Sequence, residues 1–155
     1  MNGFFKVHGA ERADNKLNCL SEGNYALYYS YGEDELGGYR WRKNYDHKPT
    51  LEEVKEDIEG LINEHTHERI LAGMEYEGAK VWLSTENQLN FRVAVAPVRL
   101  KIGEDEEGKP TYKTFDTDEA LAEFGKAIST FVATTLNAGW DEKDGVDYGA
   151  FTGEE

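Results

Sequence analysis

Two runs, Tyr25-Ala26-Leu27-Tyr28-Tyr29-Ser30-Tyr31 and Tyr39-Arg40-Trp41-Arg42-Lys43-Asn44-Tyr45, carry the clearest strand pattern in the chain. A period of two puts Tyr25, Leu27, Tyr29 and Tyr31 on one side of the first run, with Ala26, Tyr28 and Ser30 on the other. The second run alternates in the same way and aligns Tyr39, Trp41 and Tyr45. Between them, Gly32 to Gly38 is acidic and ends in two glycines, a turn composition. The two runs therefore predict a β-hairpin with an aromatic face. Upstream, Phe4-Phe5-Lys6-Val7-His8 predicts a further short strand.

Downstream the period changes. Pro49 closes the β-rich part and Thr50 opens a helix. Thr50 and Glu53 have the spacing of a capping box, in which the hydroxyl accepts from the Glu53 amide and the carboxylate reaches back. Leu51, Val54, Ile58, Leu61 and Ile62 form one helical stripe, and the helix is expected to fade near His65. Met74-Glu75-Tyr76 and Ala79 to Leu83 read as two short strands turning at Glu77-Gly78. Ser84 and Thr85 cap a short helix to Val95, with Gln88 at the capping-box position for Thr85, and Pro97 ends it. Val98 to Ile102 and Thr111 to Phe115 form a second hairpin around the Gly103–Pro110 turn. Asp116 with Glu119 caps a long last helix faced by Leu121, Phe124, Ile128, Phe131, Val132 and Leu136, with Gly139 as its C-terminal glycine. The expectation is an α+β fold: one small domain over residues 1–140, with two β-hairpins, a capped middle helix and a long C-terminal helix. Residues 1–48 are its β-rich aromatic part and 49–140 its helix, hairpin and helix part. Residues 141–155 read as a polar tail that packs by its aromatics and frays at its end.

The run from Ile70 to Phe91, Ile-Leu-Ala-Gly-Met-Glu-Tyr-Glu-Gly-Ala-Lys-Val-Trp-Leu-Ser-Thr-Glu-Asn-Gln-Leu-Asn-Phe, resembles a small family of tail-associated phage and prophage proteins of unknown function. That family occurs in Bacteroides-type gut genomes, often encoded beside tail-fibre genes. The hairpin ending Tyr112-Lys113-Thr114-Phe115 and the segment Asn137 to Asp144 are similar too, so the resemblance covers residues 45–148. Met74 stands where the family has an aromatic residue. The resemblance implies a virion-accessory role with a tail or tail-fibre partner, in the host cytoplasm or the virion, and supplies no catalytic residue. It makes Trp82, Glu86, Asn87, Gln88 and Asn90 candidate contact positions. Their other reading is structural, because Glu-Asn-Gln after Ser-Thr is also what a helix N-terminus needs.

The 155 residues carry 17 Lys and Arg against 31 Asp and Glu, a net charge of −14. Residues 1–49 are neutral, with seven charges of each sign, so residues 50–155 hold all of it. Such a surface repels phosphate backbones, and direct nucleic-acid binding is not expected. It leaves open a basic partner, or imitation of DNA charge to block a host defence protein, for which Glu52, Glu56 and Glu59 are the candidate face. No apolar run approaches the roughly 20 residues of a membrane span. The N-terminus lacks the apolar core of a signal peptide, so export by that route is not expected.

Reactive motifs are few. His65 and His67 lie two residues apart, and such positions do not face each other on a helix. Asp141-Glu142-Lys143-Asp144-Gly145 fails as a calcium loop, because Trp140 and Phe151 would occupy positions 1 and 12. Glu104 to Glu107 reads as a solvated hairpin tip, and Cys19 as a buried or loop thiol. No metal site, cofactor or catalytic residue is expected, and the chain reads as a non-enzyme. Tyr39, Trp41 and Tyr45, beside Arg40, Arg42, Lys43 and Lys48, have two readings. They pack on the helix from Thr50, or they form an open platform for a protein partner or, in a carbohydrate-binding module, for sugars.

Overall fold

The computed structural model describes residues 2–152 and has the α+β architecture. Its strands are β1 (Phe5–His8), β2 (Lys16–Ser21), β3 (Asn24–Asp34), β4 (Gly37–Tyr45), β5 (Met74–Tyr76), β6 (Ala79–Val81), β7 (Val98–Glu104) and β8 (Pro110–Phe115). Its helices are α1 (Leu51–Leu71), α2 (Thr85–Val93) and α3 (Asp118–Asp144), followed by a 3-10 turn at Tyr148–Phe151. The chain falls into two compact units, one of residues 1–63 with 142–155 and one of residues 64–141. The boundary lies inside both long helices.

The first unit is built on an antiparallel sheet of order β1-β4-β3-β2. The expected hairpin is present and longer than its composition implied. β3 and β4 pair to Asp34 and Gly37, leaving a turn of Glu35 and Leu36 where the turn was expected to run from Gly32 to Gly38. The even alternation of β3 stops at a bulge between Tyr29 and Gly32, where Ser30 takes a φ of +66° and its amide donates to Asn15 Oδ1 at 2.7 Å. A bulge inserts an unpaired residue and shifts the faces beyond it, which a strict period of two does not anticipate. β2 was not expected. As an edge strand it buries only Leu17, so its apolar pattern is weak; Cys19 on it is exposed, correcting its reading as a buried or loop thiol.

Leu27, Tyr29 and Tyr45 from the sheet and Leu17 from its edge pack against Val54, Ile58, Leu61 and Ile62 of α1. The Thr50 capping box closes as expected: the Glu53 amide donates to Thr50 Oγ1 at 3.1 Å and the Thr50 amide to Glu53 Oε1 at 3.4 Å. Phe151, only 2% exposed, completes this core, so the last turn is a structural part of the first unit. Residues 153–155, where fraying was expected, lie outside the described residues.

In the second unit, β5 and β6 pair through a Glu77-Gly78 turn, with both residues at positive φ. β7 and β8 form the second hairpin. Phe124 of α3 is fully buried amid Tyr76, Phe91 and Phe115, with ring centroids 4.9–5.1 Å away. Four helix-end expectations change. α1 runs beyond His65 to Leu71, because nothing breaks it before Gly73, whose φ of +86° and amide bond to Ile70 O form a left-handed cap. α2 ends at Val93 rather than Val95, and of the two expected caps, Ser84 and Thr85, it is Ser84 that takes the role. Thr117, not Asp116, caps α3, accepting from the Ala120 amide at 3.1 Å. Gly139 does not end α3. It is buried in the helix interior, where a Cβ would overlap Thr66 Oγ1 of α1. Glycine there serves close helix approach rather than termination.

Candidate functional site

The aromatic residues of β4 divide by depth. Tyr45 is 8% exposed and belongs to the first core. Its hydroxyl donates to Asp57 Oδ2 of α1 at 2.5 Å, and Lys43 Nζ lies 3.0 Å from the same oxygen. Burial first, then the Asp57 carboxylate, pushes the Tyr45 phenol far above its ordinary range. Trp41 packs partly buried against that core. Tyr39 stands edge-on to Trp41, with centroids 5.7 Å apart and ring planes at 85°, and Lys6 Nζ lies 4.3 Å from the Tyr39 centroid. The three do not present coplanar open rings.

Beside Tyr45 lies an open polar hollow of about 740 Å³, lined by Asn24, Lys43, His47, Glu53, Glu56 and Asp57 among others. His47 bridges Asp46 Oδ1 at 2.9 Å and Glu53 Oε2 at 2.8 Å, and those two carboxylates raise its pKa. His47 with Glu53, and Lys43 with Asp57, are already engaged with one another within the hollow.

The other candidate positions lie in the second unit and serve mainly to start α2. Asn87 takes its amide to Ser84 Oγ at 3.1 Å, and its side chain donates to Trp82 O at 3.1 Å. Gln88 Nε2 donates to Leu83 O at 2.8 Å. Trp82 is half-buried and lies against Gly103 of β7, and its amide donates to Ile102 O at 2.8 Å. Glu86 and Asn90 are exposed and, with Asn87, Phe91, Arg99 and Lys101, border a shallow hollow of about 500 Å³. The structure thus brings Trp82, Glu86, Asn87, Gln88 and Asn90 together, and places Tyr39, Trp41 and Tyr45 in the other unit.

Sequence reasoning did not reach the groove between α2 and α3. It encloses about 610 Å³ and is lined by Phe91, Arg92, Leu121, Gly125, Val132 and Leu136, with Ala122, Ser129 and Ala133 at its edge. Its lining runs along α3 from Asp118 to Leu136, about 27 Å at 1.5 Å per residue. Beyond Gly125 Cα a Cβ would meet open space. Leu89, Val93 and Val95, on α2 and just after it, are more than half exposed. The available signal was the run of small residues at 122, 125, 129 and 133, at helical spacing beside an apolar stripe broader than one core requires.

Among the described residues, no group of three or more His, Cys, Asp or Glu side chains is placed to hold a metal ion. No helix of the described residues is long and apolar enough to cross a membrane. Set against known protein families, curated proteins and solved structures, the chain matches none of them.

Proposed function

We propose that this chain is a non-enzymatic accessory protein of a phage or prophage, associated with the tail or tail fibre, that works by binding a partner protein. The phage assignment rests on the resemblance of residues 45–148. The binding mode rests on the α2/α3 groove: its apolar side chains, with small residues among the lining, follow about 27 Å of α3 and suit an amphipathic helix laid along them with anchors at i, i+3/4 and i+7. Asp118 lines the end of the groove at the start of α3 and favours a basic residue at that end of the partner.

The test is co-purification of the tagged protein with the products of neighbouring phage genes, with glycan-array binding measured on the same preparation. A stoichiometric tail or fibre protein is expected. Val132→Glu and Leu136→Glu, at half-buried positions of the groove lining, should each weaken that complex by about 2 kcal/mol, the scale of a central anchor. Glycan binding without a protein partner, lost in Trp41→Ala, would replace this reading by a carbohydrate-binding module. Capture of a host defence enzyme, lost on charge reversal at Glu52, Glu56 and Glu59, would replace it by an acidic decoy.

A further inference from the structure

The face of the four-stranded sheet opposite its core carries a row of alternating rings and cations. Strand registers set Phe5 opposite Arg42, Arg42 opposite Tyr28 and Tyr28 opposite Lys16, so one line crosses all four strands. The Arg42 guanidinium lies 5.9 Å from the Phe5 centroid and 5.4 Å from that of Tyr28, and Lys16 Nζ lies 5.8 Å from Tyr28. Arg40, two residues before Arg42, covers the same Tyr28 ring at 4.3 Å. In a chain of net charge −14, three cations on one face need a reason.

The face already holds one carboxylate. Asp14 Oδ2 sits 2.8 Å from Lys16 Nζ and 3.2 Å from Arg40 Nη1. Arg42 is different: its Nε donates to Asn44 Oδ1 at 2.8 Å, and no carboxylate among the described residues pairs with it. Its guanidinium is planar by resonance and lies beside the Phe5 and Tyr28 rings, a fork that can meet a carboxylate side-on. Arg40 Nε is buried and also lacks a hydrogen-bond partner among the described residues.

We infer that this sheet face is a binding surface for an extended acidic peptide segment, one of whose carboxylates engages Arg42 beside the Arg40–Lys16 pair that Asp14 already holds. Exposed Phe5, at 43%, adds an apolar contact at the end of the row. Single-stranded nucleic acid fits less well. Its bases need open ring faces, whereas Tyr28 is 8% exposed beneath its arginines. A longer polyphosphate would also meet the acidic remainder of the chain.

The experiment titrates the full chain into a labelled peptide of alternating glutamate and serine at low salt, with a labelled oligothymidylate of equal charge beside it. Saturable peptide binding is expected, weakened about tenfold or more by Arg42→Gln, the scale of a lost charge-assisted bidentate pair. Arg42→Lys should not restore it, because an ammonium lacks the fork. Lys55→Gln, on exposed α1 surface, should leave it unchanged. Melting curves of each variant report the fold separately. Absence of peptide binding, equal binding by Arg42→Gln, or tighter binding of the oligothymidylate with the same losses would each overturn the inference. The α2/α3 groove variants leave this measurement untouched, so the two proposals fail separately.

Discussion

At the residue scale, His47 makes a pH dependence accessible to measurement. Asp46 and then Glu53 raise its folded pKa above 6.5, so the stability it contributes is complete below pH 6.5 and is lost as pH rises through the raised value. Asp46 and Glu53 are lowered, with hydrogen bonds to His47 the first cause in each, so their share is present above about pH 4.5 and lost on acidification. Lys43, Glu56 and Asp57 line the same hollow and complete the charged surroundings. The difference in melting temperature between the native chain and His47→Gln should be largest near pH 5.5 and shrink toward pH 8. A difference constant across that range would remove His47 from the account. Tyr45 illustrates the complementary case: packing on the helix from Thr50 was one of its two expected readings, and the α1 core with Asp57 decides for it.

At the element scale, three glycines in helices behave differently. Gly60 of α1 and Gly125 of α3 have nothing within 4 Å of a would-be Cβ, whereas one on Gly139 overlaps Thr66 Oγ1. Gly60→Ala should therefore stabilise by up to about 1 kcal/mol through helix propensity. Gly139→Ala should destabilise by about 1–3 kcal/mol, since overpacking outweighs that gain. Thr66→Ala in the same chain should restore most of the loss, a coupling that chemical denaturation of the double-mutant cycle reads directly. If Gly139→Ala is as stable as Gly60→Ala, the two helices are not in close approach. The sequence pattern could announce a glycine at 139 but not its role. Helix ends and close packing sites share the residue, and only the neighbour decides.

At the scale of the whole molecule there are two cores, one centred on α1 with Leu27, Tyr29 and Phe151, and one on Phe124 with Tyr76, Phe91 and Phe115. Phe124→Ala and Phe151→Ala should each cost about 3–5 kcal/mol, the range for emptying a buried phenylalanine site. Amide hydrogen exchange should show where. Phe151→Ala is expected to deprotect β2, β3 and β4 most, and Phe124→Ala to deprotect β5 to β8 most. Uniform deprotection by both variants would mean that the two units open together.

The α+β class, both hairpins, the Thr50 cap and the apolar stripes of α1 and α3 were legible along the chain, because each follows from local period, turn chemistry or capping geometry. Tertiary structure alone decided the pairing of β2 as an edge strand, the burial of Phe151 in the first core, the role of Gly139, the α2/α3 groove and the ring-and-cation row on the outer sheet. For Phe151, Gly139 and the groove the deciding partner lies far along the chain, as Phe5 does from Arg42, whereas β2 turns directly into β3 at Glu22-Gly23 and was hidden by its weak apolar pattern. Periodicity orders residues along one element. Which element faces another, and what remains uncovered, is set only when the elements pack.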